Sequence, residues 1–196
     1  MEEYLLINFF SIIFEKKKEM KKVLIIIFSV FLVSNCLDAQ EKKVYKDDYI
    51  LTTGDQAPDF MINEAGGKSY KLSDLRGKVV MLQFTASWCS VCRQEMPFIE
   101  KEIWKPGRES GLAVIGIDRD EPLEKVLKFK IDIEVTYPLA LDPAADIFGL
   151  YALKAAGVTR NVIIDRAGKI VFLTRLFNRE EFDRMKKVIF SELGSK

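Results

Sequence analysis

The chain has 196 residues, of which 48% are hydrophobic and 30% are charged, and its formal net charge is +1. This globular composition suits one domain plus an N-terminal segment, and the balanced charge gives no indication of nucleic-acid binding. The sequence has no histidine, which excludes a Ser-His-Asp triad, a Cys-His protease pair, His-ligated metal and covalent attachment of c-type haem. The cysteines are Cys36, Cys89 and Cys92. A single CxxC is half of a zinc site, so we expect neither a metal nor another cofactor.

The N-terminal extension, residues 1–39, has the features of an export signal. Lys21 and Lys22 precede an apolar block, residues 23–33, and a polar stretch follows it. The block is shorter than the ~20 residues that span a bilayer comfortably, so we favour a signal peptide over a retained membrane anchor. Met20 opens this pattern well and is a candidate for the true start of the protein.

Two processing routes are open for this signal. Cleavage after Ala39 leaves Gln40 as the first residue and discards Cys36. Alternatively, residues 33–36 resemble a lipoprotein signal, in which Cys36 takes a lipid anchor, although Asn35 is a poor match before that cysteine. We favour the first route. Either route places the domain outside the cytoplasm, in the periplasm or anchored to a membrane facing it, where disulfides persist.

The remaining chain alternates predicted strands and helices. Residues 40–53 are polar and predict an irregular lead-in or a tether, and residues 54–196 are the predicted domain. Apolar runs and turn signals predict strands at residues 60–63, 69–72, 79–85, 112–117, 162–165 and 170–173, and a short extended piece at 137–142. Strands that alternate with helices and end in a hairpin plus a helix predict an α/β sandwich with a mixed sheet.

Four helices are predicted between these strands. The first contains Pro97, which should kink it, and its buried stripe consists of Cys89, Cys92, Met96, Ile99 and Ile103. The second is predicted to be capped by Asp120 and to bury Leu123, Val126, Leu127 and Ile131. The third spans residues 144–153. The last is capped by Asn178 and has a core face of Phe182, Met185, Ile189 and Leu193.

The stretch Trp88–Cys92 lies where the strand at residues 79–85 passes into the first helix. Two cysteines three residues apart at such a junction can close a small disulfide. Cys89 would lie at the positive end of the helix dipole, where amide N–H groups favour the thiolate. A thiolate attacks disulfides, so this placement indicates thiol exchange. The alternative is a structural staple, which we disfavour because so short a loop hardly restricts the unfolded chain.

Three stretches carry a family resemblance, namely Gly54 with residues 57–60, residues 84–97, and residues 157–170. They resemble the TlpA/ResA-like thiol-disulfide oxidoreductases of the thioredoxin superfamily, with AhpC/TSA-type proteins as neighbours. The resemblance covers roughly residues 54–193. It implies a thioredoxin-like fold, with a central mixed β-sheet flanked by helices on both faces, and a redox-active disulfide between Cys89 and Cys92. It further implies that Cys89 is the exposed nucleophile and that Cys92 resolves the mixed disulfide.

The same resemblance nominates further site residues. Glu95 falls where related enzymes keep a glutamate that relays a proton, and the alternative is a solvated helix glutamate or a helix-dipole partner. Trp88 is expected to cover the disulfide, with core packing as the alternative. Thr159 stands where the family usually has a cis-proline, so we expect a trans peptide bond and an active-site wall there. Gln83 replaces the buried aspartate of thioredoxins, and Arg160 is expected to be an exposed loop residue rather than a partner of the thiolate.

These observations predict an extracytoplasmic thiol-disulfide oxidoreductase. Its partners would be cysteine-containing exported proteins, and a membrane thiol donor would supply its electrons. Ser90 and Val91 do not define the direction of electron flow, but membership of this branch favours a reductant. One alternative is a thiol peroxidase, although Thr85 and Leu82 do not match the spacing and the proline of the peroxidase motif. The other is a non-enzymatic binding domain that kept the fold.

Overall fold

The computed structural model describes residues 43–195. Its strands are β1 (Met61–Asn63), β2 (Ser69–Lys71), β3 (Val79–Thr85), β4 (Leu112–Arg119), β5 (Leu139–Asp142), β6 (Arg160–Ile164) and β7 (Ile170–Arg175). Its main helices are α1 (Ser90–Ile99), α2 (Leu123–Asp132) and α3 (Arg179–Gly194). Short 3-10 helices occur at Lys46–Asp48, Leu72–Leu75, Arg108–Ser110 and Phe148–Leu150.

Five strands form the central sheet in the order β5-β4-β3-β6-β7, and β1 and β2 form a separate antiparallel pair. β4 runs parallel to both β3 and β5, whereas β6 is antiparallel to both β3 and β7, so the sheet is mixed as predicted. All seven residues of β3 are buried, as the continuous apolar run predicted for a strand covered on both faces. Thr85 contacts Met96 of α1 on one face, and Phe84 packs against Phe148 on the other.

Helix α1 continues beyond Pro97 with altered geometry. A π-helical segment, Glu100–Trp104, follows it directly, and one further α-helical turn, Lys105–Gly107, ends the helix. Proline removes a backbone N–H from the helical hydrogen-bond pattern, which accounts for the irregularity close behind it. The predicted buried stripe of this helix is confirmed by the burial of Cys89, Cys92, Met96, Ile99 and Ile103.

The predicted second helix exists, but its start and its buried face differ from the prediction. Asp120 has a left-handed φ of 64° and does not cap α2, whose N-cap is Pro122. The helix buries Val126 and Phe129, while its other large apolar side chains are exposed: Leu123, Leu127 and Ile131. The buried face of α2 is therefore rotated from the predicted face toward Phe129. The guanidinium carbon of Arg93 lies 4.9 Å from the centre of the Phe129 ring.

The predicted helix over residues 144–153 is wrong, since only the 3-10 turn Phe148–Leu150 forms there. The Asp142 carboxylate accepts hydrogen bonds from the N–H groups of Ile147 and Phe148, which bends the chain after β5. The next residues bond to the lead-in instead of extending a helix, because the Tyr151 carbonyl accepts from the Ile50 N–H. A side chain that competes for backbone groups in this way favours a turn over a helix.

The last helix and the hairpin before it are confirmed. The Asn178 side chain accepts from the Glu181 N–H at 3.0 Å, and α3 buries Phe182, Met185 and Ile189, with Leu193 partly buried. Gly168 in the hairpin turn has a φ of 88°, a left-handed conformation that glycine adopts without strain.

The lead-in packs against the domain rather than acting as a free tether. Tyr49 is buried, and its hydroxyl donates to the Thr174 carbonyl at 2.7 Å. The predicted signal peptide, with Met20, Cys36 and Ala39, lies outside the described residues. Between residues 43 and 195, no helix is both long and apolar enough to cross a membrane.

Candidate active site

The turn between β3 and α1 holds the two cysteines as a disulfide, with a Cα–Cα distance of 5.3 Å. Cys89 is the N-cap of α1, and the Cys92 N–H donates to the Cys89 sulfur at 3.1 Å. Cys89 is not the exposed residue that the resemblance implies, since only 7% of the residue is exposed, but Cys92 beside it is not exposed at all. A donor N–H and the positive end of a helix both favour negative charge on Cys89 when the disulfide opens.

Thr159, the residue that precedes β6, lies against both sulfurs. Its hydroxyl oxygen is 3.2 Å from the Cys89 sulfur and 3.4 Å from the Cys92 sulfur. Every peptide bond between residues 43 and 195 is trans, as expected at this threonine. The residue is therefore close enough to form part of the site wall, and it presents a hydrogen-bonding group where the family usually has proline.

Glu95 lies on the buried side of α1, which excludes the solvated helix glutamate considered above. The side chain is 2% exposed, and its carboxylate accepts a hydrogen bond from Asn161 Nδ2 at 2.7 Å. Burial raises its pKa from 4.5 to about 7, while the Asn161 and Gln83 side chains oppose the rise. A carboxyl with this pKa exchanges protons readily near neutral pH.

A buried polar network surrounds Glu95, and among its other members sequence reasoning named only Gln83. Asn161 Nδ2 also donates to Thr174 Oγ1 at 2.9 Å, and Tyr137 donates to Gln83 Oε1 at 2.7 Å. Gln83 and Asn161 are paired in register on β3 and β6, which places both beneath α1. The available signal was Asn161 directly before the apolar run at residues 162–164, where burial requires a hydrogen-bond partner.

A second cluster fixes the residue just before Trp88. The Glu121 carboxylate accepts from the Ser87 N–H at 2.5 Å and from the Ser87 hydroxyl at 2.7 Å. Arg93 Nε donates to the Ser87 carbonyl at 2.7 Å. The N–H, hydroxyl and carbonyl of Ser87 are thus all hydrogen-bonded, so Glu121 and Arg93 together fix the turn that carries Cys89. Sequence reasoning did not find Glu121, because its partner lies 34 residues away.

Asp118, at the end of β4, is the other acid near this turn. It is fully buried and lies beside the Glu121 carboxylate. Burial raises its pKa from 3.8 to about 8, and the nearby Glu121 carboxylate adds to the rise. Asp118 therefore holds its proton at neutral pH.

For two other residues, the structure excludes one of the interpretations that the sequence left open. Trp88 is 62% exposed, which excludes core packing and leaves its role as a cover for the disulfide a prediction. Arg160 is not an exposed loop residue: it is fully buried in β6. Its guanidinium lies 4.6 Å from the centre of the Tyr49 ring, and its Nε donates to the Gly157 carbonyl at 3.1 Å. These contacts tie Arg160 to the lead-in and to the loop that presents Thr159.

A mixed sheet with a CxxC disulfide at the start of the helix after its central strand defines a thiol-disulfide oxidoreductase of thioredoxin-like fold. The sequence matches the AhpC/TSA family over residues 53–173, and the chain belongs to this family as a TlpA/ResA-like member of the thioredoxin superfamily. It is 32% identical to the thiol-disulfide oxidoreductase ResA of Bacillus cereus over 127 residues, which cover 65% of this chain and 72% of ResA.

Solved structures agree with this assignment. A Bacteroides thetaiotaomicron protein assigned as a protein disulfide isomerase superposes with a TM-score of 0.74 at 60% identity, covering 77% of this chain and 96% of that protein. A Chlorobium tepidum protein assigned as the thiol:disulfide interchange protein DsbE gives a TM-score of 0.66 at 30% identity, covering 74% and 99% respectively. The protein is thus an enzyme that exchanges electrons with protein cysteines through its Cys89–Cys92 disulfide.

Proposed function

We propose that the protein works outside the cytoplasm as a reductant of disulfides in exported proteins, with Cys89 as the attacking residue. The observation that supports this most directly is the asymmetry of the two cysteines. Cys89 retains some exposure and receives a backbone N–H, whereas Cys92 is sealed beneath it. A partner's sulfur can therefore approach Cys89, while Cys92 is placed to react only with Cys89.

The reaction follows from this arrangement. The Cys89 thiolate attacks one sulfur of a client disulfide, a Cys89–client disulfide forms, and the client's other sulfur leaves as a thiolate. Cys92 then loses its proton and attacks the Cys89 sulfur, which re-forms the Cys89–Cys92 disulfide and releases the second client thiolate. The client gains two electrons and the enzyme loses two, so a thiol donor must reduce the enzyme again.

Glu95 is proposed to accept the proton of Cys92. It lies on the same side of α1, one helical turn after Cys92, and both residues are buried. Its pKa of about 7 leaves a substantial fraction of the carboxylate form at neutral pH, and the carboxyl can then return the proton to a departing client thiolate. Trp88 is proposed to border the site where the client docks.

The proposed location rests on the N-terminal segment rather than on the folded domain. The basic, apolar and polar order of residues 1–39 supports export, and a domain exported in this way needs a membrane thiol donor to stay reduced. Lipid attachment at Cys36 would hold the domain at the membrane. Cleavage after Ala39 would release it.

The contacts of Thr85 disfavour peroxidase chemistry. The Thr85 hydroxyl donates to the Met96 sulfur at 3.4 Å, so it is engaged with α1 rather than with a peroxide at Cys89. The proline of the peroxidase motif is also replaced by Leu82. We therefore keep disulfide exchange as the single proposed reaction.

The proposal is tested by trapping clients with the Cys92→Ala variant. Without Cys92 the mixed disulfide cannot be resolved, so Cys89–client adducts should accumulate, and mass spectrometry of the linked peptides identifies them. Cys89→Ala is the matched control and should trap nothing, because Cys92 is sealed. A Cys36→Ala background removes adducts at the third cysteine. Equal trapping by both variants would refute the assigned roles.

The direction of electron flow is tested by a redox titration of the Cys89–Cys92 pair. A reductant should have a potential near that of thioredoxin, ~ −270 mV, whereas a value near ~ −120 mV would make the protein an oxidant. Reduction of insulin by wild type but not by Cys89→Ser distinguishes an enzyme from a binding domain. Equal behaviour of the two proteins would contradict the proposal.

A further inference from the structure

Thr159 contacts the reacting atoms themselves. Its hydroxyl oxygen lies within hydrogen-bond distance of both sulfurs, at 3.2 Å from Cys89 and 3.4 Å from Cys92. The side chain is only 3% exposed, so little water competes for this position. A single polar group that bridges both ends of a redox disulfide needs a chemical explanation beyond filling space.

The backbone on either side of Thr159 holds this hydroxyl in place. The Thr159 carbonyl accepts from the Leu176 N–H at 3.2 Å and from the Arg175 guanidinium at 3.4 Å. The next residue, Arg160, is buried and bonded to the carbonyls of Gly157 and Asp47. The hydroxyl is therefore presented from a fixed strand end, opposite the N-terminus of α1, and needs little reorganisation to meet a charge.

A threonine hydroxyl has one proton to donate, and a thiolate is a much better acceptor than a thiol or a disulfide sulfur. We propose that Thr159 is a catalytic residue whose hydroxyl donates a hydrogen bond to whichever of the two sulfurs carries negative charge. This inference rests on the thiol exchange proposed above and names the group that stabilises its charged states.

The step can be followed for reduction by an external thiolate. That thiolate attacks the Cys89 sulfur, a new S–S bond forms, and the Cys89–Cys92 bond breaks with its electron pair on Cys92. The Thr159 hydroxyl then donates to the Cys92 thiolate. A second thiol of the reductant then gives its proton to Cys92 and attacks the first reductant sulfur, so the mixed disulfide breaks with its electron pair on Cys89. The hydroxyl then turns to the Cys89 thiolate, whose sulfur accepts the Cys92 N–H at 3.1 Å in the disulfide form. Thr159 loses no proton in either state, so charge and electrons balance without it.

The test separates the hydroxyl from the shape of the side chain by two matched pairs of full-length proteins. Thr159→Val keeps the shape of wild type and removes the hydroxyl, and Thr159→Ala differs from Thr159→Ser by the hydroxyl alone. The pH dependence of iodoacetamide labelling at Cys89 in the reduced proteins gives its pKa. Peptide mass spectrometry separates Cys89 from Cys36 and Cys92, and dithiothreitol is the probe for disulfide opening.

We expect Thr159→Val to raise the Cys89 pKa by about one unit and to slow disulfide opening about tenfold, as loss of a hydrogen bond to a charged sulfur requires. Thr159→Ser should keep a Cys89 pKa within about 0.3 units of wild type, whereas Thr159→Ala should change the pKa as Thr159→Val does. If Thr159→Val does not fold, comparison of Thr159→Ser with Thr159→Ala still decides the question. An unchanged Cys89 pKa and opening rate in Thr159→Val, or equal values in Thr159→Ser and Thr159→Ala, would overturn the inference.

A failure of the role assigned to Thr159 can be distinguished from a failure of the proposed function. If wild type does not reduce protein disulfides but the hydroxyl still lowers the Cys89 pKa, the exchange proposal fails and the role of Thr159 toward the sulfurs stands. If wild type reduces insulin and all three variants match its Cys89 pKa, the exchange proposal stands and Thr159 is only part of the site wall.

Discussion

Replacing Glu95 by glutamine should remove a pH dependence from the stability of the oxidised protein. Burial raises the Glu95 pKa from 4.5 to about 7 in the folded state. Below the lower value both folded and unfolded chains hold the proton. Between the two values the folded chain keeps a proton that the unfolded chain has released, so stability falls as pH rises through this window. Above about pH 7 the loss is complete.

The expected size follows from the shift. A rise from 4.5 to about 7 in a side chain that is 2% exposed corresponds to about 3 kcal/mol of unfolding free energy. Glu95→Gln cannot ionise, so its stability relative to wild type should increase by up to about 3 kcal/mol between pH 4 and pH 8. In the oxidised protein the disulfide cysteines do not titrate, and Asp118 contributes equally to both proteins.

Urea unfolding at several pH values, monitored in the oxidised state, measures this difference directly. The matched control is Glu124→Gln on α2, which replaces an exposed helix glutamate. It should change the unfolding free energy by about the same small amount at every pH. If the profiles of wild type and Glu95→Gln run parallel from pH 4 to pH 8, the Glu95 carboxyl does not titrate near neutrality and the proton relay assigned to it fails.

Two further predictions concern the acids near the redox turn. The pKa of Asp118 is raised from 3.8 to about 8 in the folded state, so wild type loses stability as the pH rises between these two values. Asp118→Asn should therefore lessen the fall in melting temperature between pH 6 and pH 9. Identical melting curves for the two proteins would contradict this. Glu121→Ala should lower the urea unfolding free energy by about 1–3 kcal/mol, since it leaves the Ser87 N–H and hydroxyl unpaired. If Glu121→Ala lowers the unfolding free energy no more than Glu124→Ala does at an exposed position, Glu121 does not hold the turn at Ser87.

Local patterns in the sequence were enough to predict the redox turn and most strands. The β3 run and the Cys89–Cys92 spacing are contained within about one strand and one helical turn, so both could be interpreted without tertiary contacts. The buried face of α2 was harder because apolar residues occur on two sides of that helix. Burial of Phe129 instead of Leu127 depends on contacts with other elements, which periodicity does not contain.

The polar contacts of the site lay beyond sequence reasoning for a related reason. Asn161 reaches Glu95 across 66 residues, and Glu121 reaches Ser87 across 34. Strand register decides such contacts, and register follows from packing of the whole sheet. Arg160 was misplaced because β6 begins at residue 160, two residues before the predicted strand start at 162, which places the arginine in the buried strand.

The relative reactivity of the two cysteines tests the central claim most directly. The fully reduced, full-length protein is exposed briefly to iodoacetamide at pH 7, and labelled peptides are quantified alongside the remaining insulin-reducing activity. Preferential labelling of Cys89, at least about tenfold faster than Cys92, with activity lost in step with that labelling, is the predicted result. Faster labelling of Cys92, or full activity after Cys89 is blocked, would contradict the account.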